Sequence, residues 1–118
     1  MDSESEYPLV VLRKWRHACD VFREADPFNL EPGEEEGAPA DEYDFEALLA
    51  SRAIPSALTV ECAARILAYL FSRSFGSTVP LGTCTAMAQR LLEGWPPDNG
   101  LYGDDFNPFR IVDECLAN

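Results

Sequence analysis

The string Asp41-Glu42-Tyr43-Asp44-Phe45-Glu46 sets four carboxylates within six residues. Carboxylate oxygens are the usual ligands of hard cations, so Asp41, Asp44 and Glu46 sharing calcium or magnesium is one chemistry this spacing allows. The string lacks the alternating ligands, central glycine and distal glutamate of an EF-hand loop. A simpler chemistry is electrostatic. Acids in the first turn of a helix complement its dipole, and acids facing outward attract cations or basic proteins. Other reactive residue types are sparse. His17 has no nucleophile near it in the sequence, and no Gly-x-Ser-x-Gly elbow occurs. Cys19, Cys62, Cys84 and Cys115 form no Cys-x-x-Cys pair and have only His17 as an imidazole companion, which is not a zinc layout. Gly33, Gly37, Gly76 and Gly82 are isolated, so there is no phosphate-cradling loop. The expectation is a protein that is not an enzyme and that uses no metal and no cofactor.

The acidic string belongs to a larger concentration of charge. Between Arg23 and Arg52 there is no basic residue, while residues 24–46 hold ten acids: Glu24, Asp26, Glu31, Glu34, Glu35, Glu36, Asp41, Glu42, Asp44 and Glu46. The whole chain carries a net charge of -12, and the other 95 residues hold 9 bases against 11 acids. The acidity is therefore local. Such a field attracts basic proteins and repels nucleic acid and anionic membrane, and the few scattered bases lack the clustering that nucleic-acid binding needs. The partner-binding candidates are Glu34, Glu35, Glu36, Asp41, Glu42, Asp44 and Glu46, which would supply steering and salt bridges. Tyr43 and Phe28 would supply the buried anchors.

A chain of 118 residues, 47% of them hydrophobic, fits one domain spanning 1–118. Asp2, Glu4 and Glu6 near the start are the opposite of a signal peptide's basic region. The longest apolar stretch, Ala63 to Phe71, is interrupted by Arg65 and is too short to span a bilayer. A cytoplasmic protein with reduced, largely buried thiols is the expectation.

The elements that position these groups read as helices. From about Pro8 to Glu24, the residues Leu12, Trp15, Cys19 and Phe22 recur at helical spacing, widened by Val11 and Ala18. Arg13, Lys14, Arg16, Asp20 and Arg23 fall on the polar side, and Asp26-Pro27 ends the helix. Residues 31–40 are an acidic loop with two prolines and two glycines. A second helix is expected over Asp41 to Arg52, capped by Asp41, with Phe45, Leu48 and Leu49 inward. A third begins at Thr59, buries Ala63, Ile66, Leu67, Leu70 and Phe71, and stops at Phe75-Gly76. A fourth runs from about Gly82 to Glu93 with Cys84, Met87, Ala88, Leu91 and Leu92 inward. Asn107-Pro108 opens a short last helix with Phe109, Val112 and Leu116. Trp95, Leu101, Tyr102, Phe106 and Phe109 make residues 95–118 an aromatic-rich extension, expected to pack onto the chain's own core. No segment shows strand alternation. The fold class is all-α, an irregular bundle of four to five short-to-medium helices. Its expected core is Leu12, Trp15, Cys19, Phe22, Phe45, Leu49, Ile66, Leu67, Leu70, Met87 and Leu91.

Asp26-Pro27-Phe28, followed by Gly37-Ala38-Pro39-Ala40-Asp41-Glu42-Tyr43-Asp44 and later by Phe75-Gly76, resembles a family of small uncharacterised bacterial proteins. That family pairs a helix ending in a Trp-Asp-Pro-type turn with an Asp-Glu-Tyr-Asp string. The likeness covers roughly residues 12–76, and Ala25 stands where the family often has tryptophan. It implies a helical fold without an assigned reaction. Some members look like products encoded beside toxins, which implies an immunity-type role. The resulting expectation is a non-enzymatic acidic module that grips a basic protein partner, most concretely a toxin. The alternatives are a metal-binding or metal-dependent protein built on the Asp41–Glu46 carboxylates, or a small structural homo-oligomer.

Overall fold

Local backbone chemistry sets the helix ends in the computed structural model, which describes residues 9–28, 43–97 and 106–117. Helix α1 (Leu9–Ala25) ends where the Asp26 N–H bonds the Phe22 carbonyl at 2.9 Å. Asp26 then turns to φ 45°, a left-handed conformation, immediately before Pro27. Helix α2 spans Asp44–Ala53 and α3 spans Val60–Phe75. The Thr59 hydroxyl accepts the Cys62 N–H at 3.2 Å, capping the first turn of α3. Gly76, at φ 71°, ends α3 in the left-handed conformation that only glycine adopts without strain. Helix α4 spans Leu81–Glu93, and α5 spans Pro108–Ala117. Asn107 Oδ1 accepts the Phe109 and Arg110 N–H groups at 3.0 and 3.3 Å, so the Asn-Pro start is a true N-cap.

Among the described residues the fold is all-α, five helices without a strand. Helix α2 packs against α1, α3 and α5, α3 also packs against α5, and α4 covers α1 and α3. The Cα radius of gyration of 13.7 Å is that of a single globule of this length, for which about 13–14 Å is usual. None of the helices among the described residues is long and apolar enough to cross a membrane.

The core corrects two of the expected faces. In α1 the buried residues are Val11, Lys14, Ala18, Val21 and Phe22, while Leu12, Trp15 and Cys19 are half-buried at the edge. In α2 the inward set is Tyr43, Glu46, Ala47, Leu49, Ala50, Ala53 and Ile54, and Phe45 is 45% exposed. Small inward residues, Val11, Ala18 and Val21 in α1 and Ala47, Ala50 and Ala53 in α2, let neighbouring backbones approach closely, while Trp15 and Phe45 are left at the margin. Helix α2 also begins three residues later than expected, and Tyr43, not Asp41, occupies its N-cap position. The inward faces of α3 and α4 are as expected: Ala63, Ile66, Leu67, Leu70, Phe71, Cys84, Met87, Ala88 and Leu91 are buried, with Leu92 at the edge.

The last helix buries Val112 in the core, and a side-chain cluster ties it to α3. The Tyr69 hydroxyl donates to Asp113 Oδ1 at 2.7 Å, Arg73 pairs with the same carboxylate at 3.3 Å, and the Phe109 ring meets Tyr69 edge-on at 5.0 Å. The bond to Asp113 raises the Tyr69 pKa above its ordinary value, with burial adding to it. Of the residues named in the extension, Trp95 is 7% exposed and part of the core, Phe106 is half-buried, Phe109 is 40% exposed against the expectation, and Leu101 and Tyr102 lie outside the described residues.

Candidate functional site

Two ends of chain meet beside the C-terminus of α1. One is Asp26-Pro27-Phe28, where α1 releases the chain; the other is Tyr43, where the chain returns to begin α2. The Tyr43 hydroxyl donates to Asp26 Oδ1 at 2.7 Å and accepts the Phe28 N–H at 3.2 Å. Its ring lies 5.9 Å from Phe75 and 6.2 Å from Phe71, and the Phe28 ring lies 4.3 Å from Phe75. An aromatic cluster of Phe28, Tyr43, Phe71 and Phe75 thus fixes both ends of the stretch 29–42 at one place. That stretch carries Glu31, Glu34, Glu35, Glu36, Asp41 and Glu42 and no base.

The sequence-derived binding residues divide sharply. Glu34, Glu35, Glu36, Asp41 and Glu42 lie outside the described residues. Tyr43 is 2% exposed, its ring packed into the core, and Phe28 lies half-buried against that core. Glu46, 4% exposed, accepts a hydrogen bond from the Ser74 hydroxyl across the α2–α3 contact. It too is withdrawn from the surface, because the rotation of α2 that buries Tyr43, Ala47 and Ala50 carries Glu46 inward. Asp44 is half-buried and faces α1: its backbone carbonyl accepts the Trp15 indole N–H at 2.8 Å, and its carboxylate bonds the Cys19 thiol. Of the two flanking acids, Glu24 pairs with Arg90 and Asp26 holds Tyr43. Asp44 and Glu46 point to opposite neighbours, α1 and α3. The carboxylates imagined as one cation site therefore do not converge among the described residues, where no group of three or more His, Cys, Asp or Glu could hold a metal.

Cys19 shows what this junction does electrostatically. Burial first, then the charge of Asp44 and the hydrogen bond to it, push its thiol pKa up to about 12 from 9.0. Burial alone raises that of Cys84. A nucleophilic cysteine needs the reverse, a stabilised thiolate. All four cysteines are free, but their burial is uneven: Cys84 is buried, Cys19 and Cys115 half-buried, and Cys62 exposed because it sits on the outer side of the first turn of α3.

A feature absent from the sequence reading is Lys14. Placed on the polar face by pattern, it is fully buried. Its Nζ donates to the Ile54 carbonyl at 2.9 Å and lies 5.0 Å from the Trp95 ring centroid. The Trp95 indole N–H donates to the same carbonyl at 2.8 Å. Beside it His17 Nε2 lies 3.0 Å from the Leu91 carbonyl, and its ring sits against Gly94. Helix α1 thereby fastens the C-terminal ends of α2 and α4, where unpaired carbonyls and the negative end of the dipole favour donors and cations. The signal available in the sequence was only the position of Lys14, between Val11 and Ala18 on the inner stripe.

The outer face of α1 carries open grooves. One, of about 340 Å³, is lined by Leu12, Trp15, Arg16, Cys19, Asp20, Arg23 and Asp44, and another is lined by Leu9, Leu12, Arg13, Arg16, His17 and Asp20. Neither brings an activated nucleophile against a base.

Fold and site together define a small protein with five helices among its described residues and a junction at which Tyr43 bonds Asp26 and Phe28. No family model, no curated protein and no solved structure matches the chain.

Proposed function

We propose that this chain is a non-enzymatic binding module that presents the acids of residues 29–42 to a basic protein partner. What carries the reading is the placement of six acids and no base in a stretch whose two ends are bonded to one another through Tyr43. The other four acids of residues 24–46 are engaged within the fold, as described above. The partner-facing set therefore narrows from the original list to Glu34, Glu35, Glu36, Asp41 and Glu42, joined by Glu31. Charge concentrated in one stretch of a chain of net charge -12 raises the encounter rate with a positively charged protein. The resemblance to a family of helical bacterial proteins, some of which look like products encoded beside toxins, makes an immunity protein the most concrete form of the proposal, with a basic toxin as partner and the cytoplasm as its place of action.

The test is kinetic. With the product of a neighbouring toxin-like reading frame as ligand, the association rate should fall as salt rises. Replacing Glu34, Glu35 and Glu36 together by glutamine should slow association by on the order of tenfold at low salt and flatten its salt dependence, with less change in dissociation. An association rate indifferent to both salt and these substitutions would show that the acids only solubilise the chain.

A further inference from the structure

We infer that the outer face of α1 is a docking surface for an acidic amphipathic helix of a partner protein, an inference that does not rest on the binding role of residues 29–42. One flank of α1 is tied to α2 by the Trp15 bond to Asp44, and the other meets α4 where His17 reaches the Leu91 carbonyl. Between these flanks Leu9, Leu12, Arg13, Arg16 and Arg23 recur at helical spacing, opposite the buried Val11, Ala18 and Phe22. That face holds the two open grooves, of about 540 and 340 Å³, and Arg16 lines both.

The charge there is opposite in sign to that of the molecule. Arg13, Arg16 and Arg23 are exposed, and none of them makes an ion pair with a described residue. Against these three guanidiniums the grooves set two carboxylates, Asp20 and Asp44, and that of Asp44 is already bonded to the Cys19 thiol. With His17 counted neutral, the lining carries one net positive charge in a chain of net charge -12. Leu12 and Trp15 are half-buried in the grooves, and the indole bond to the Asp44 carbonyl holds the Trp15 ring in place before a partner arrives. Tryptophan and arginine are the residue types that most often carry binding energy at interfaces.

The spread of charge selects the occupant. Arg13 and Arg23 lie about 15 Å apart along the helix axis, so a single phosphate or carboxylate cannot serve both. Nucleic acid and an anionic bilayer carry dense negative charge that the rest of the molecule repels, and a bilayer also needs protruding apolar side chains where Leu12 and Trp15 are recessed. A helix bearing a few acids meets little of that repulsion. It can lay its apolar stripe on Leu9, Leu12 and Trp15 while its flanking carboxylates pair with the arginines.

The probe is a synthetic peptide of about 15 residues, long enough as a helix to run from Leu9 to Arg23, with leucines on one stripe and glutamates beside it. Of the chain's two tryptophans Trp95 is in the core, so acrylamide quenching of the native fluorescence reports chiefly Trp15, and the peptide should reduce it saturably. Replacing Arg13, Arg16 and Arg23 together by glutamine should weaken this protection by about tenfold and flatten its salt dependence. Leu9→Ser, at a position 62% exposed, should weaken it several-fold and leave the salt dependence unchanged. These side chains are all exposed, so the helical circular dichroism should stay that of the wild type. Should either variant fail to fold, the unaltered protein still decides: a peptide with lysine in place of glutamate should give no protection, even where it binds elsewhere. Equal protection by both peptides, or none at millimolar peptide, would overturn the inference. Protection by a short oligonucleotide or by anionic vesicles, with none from the glutamate peptide, would overturn it in favour of that ligand. Protection that rises with protein concentration alone, and is lost in the arginine variant, would overturn it in favour of a second copy of the chain.

Discussion

Cys19 shows how a residue's chemistry is decided by what it touches. Half-buried against Asp44, it loses the solvation its thiolate would need and gains a negative neighbour, and both effects favour the neutral thiol. Its folded-state pKa, about 12, lies above the 9.0 of an unperturbed thiol, so the unfolded chain ionises first. Stability is therefore expected to fall as pH rises from about 9 to about 12, since in that window the unfolded state binds fewer protons. The direct check is alkylation. At mildly alkaline pH exposed Cys62 should react with iodoacetamide far faster than Cys19, with peptide mapping to assign the sites; equal rates would contradict the burial and the Asp44 bond. Lys14 makes the complementary point. A long aliphatic stem lets an ammonium group cross an apolar layer and end on a carbonyl, so a charged residue became part of the core without leaving its hydrogen bonds unmade.

At the scale of elements, the contact of α1 with the end of α4 is the most sharply defined. A Cβ added to Gly94 would lie 2.6 Å from Cε1 and 2.9 Å from Nε2 of His17, closer than such atoms can come. Gly94→Ala must therefore displace the imidazole from the Leu91 carbonyl, and it is expected to destabilise the protein by about 1–3 kcal/mol in urea unfolding. Combining it with His17→Ala should recover much of the loss attributable to the clash, a non-additivity that a double-mutant cycle reads directly. Additive effects would mean that the ring is not where the packing requires it. In α2 the buried alanines Ala47, Ala50 and Ala53 let α1, α3 and α5 approach it closely.

For the whole molecule, the core and the charge are separable. Leu67 is 0% exposed within the main cluster, and Leu67→Ala should cost about 2–5 kcal/mol, set by how far the cavity collapses. Phe45, 45% exposed at the start of α2, should by contrast tolerate alanine within about 1 kcal/mol. Chemical denaturation of the two variants side by side checks the corrected core, and a large loss at Phe45 with none at Leu67 would restore the face expected from periodicity. The acids of 29–42 should matter little to either measurement, because their charge is concentrated in a stretch joined to the core through the Tyr43 junction.

What the sequence determined by itself were the features written in local backbone chemistry. Thr59, Gly76, Asp26-Pro27 and Asn107-Pro108 start or stop helices through bonds and steric limits that act within a few residues, so the end of α1, both ends of α3 and the start of α5 were legible almost to the residue. The charge concentration was legible too, since it is a count. Tertiary structure decided the rotation of α1 and α2, the burial of Tyr43 and Glu46, and the burial of Lys14. Periodicity weighs side chains by bulk and hydrophobicity along one helix, whereas the inward face is chosen by how closely several helices can pack. The bond that joins Tyr43 to Asp26 spans 17 positions, and nothing local to either residue records that the other will be there.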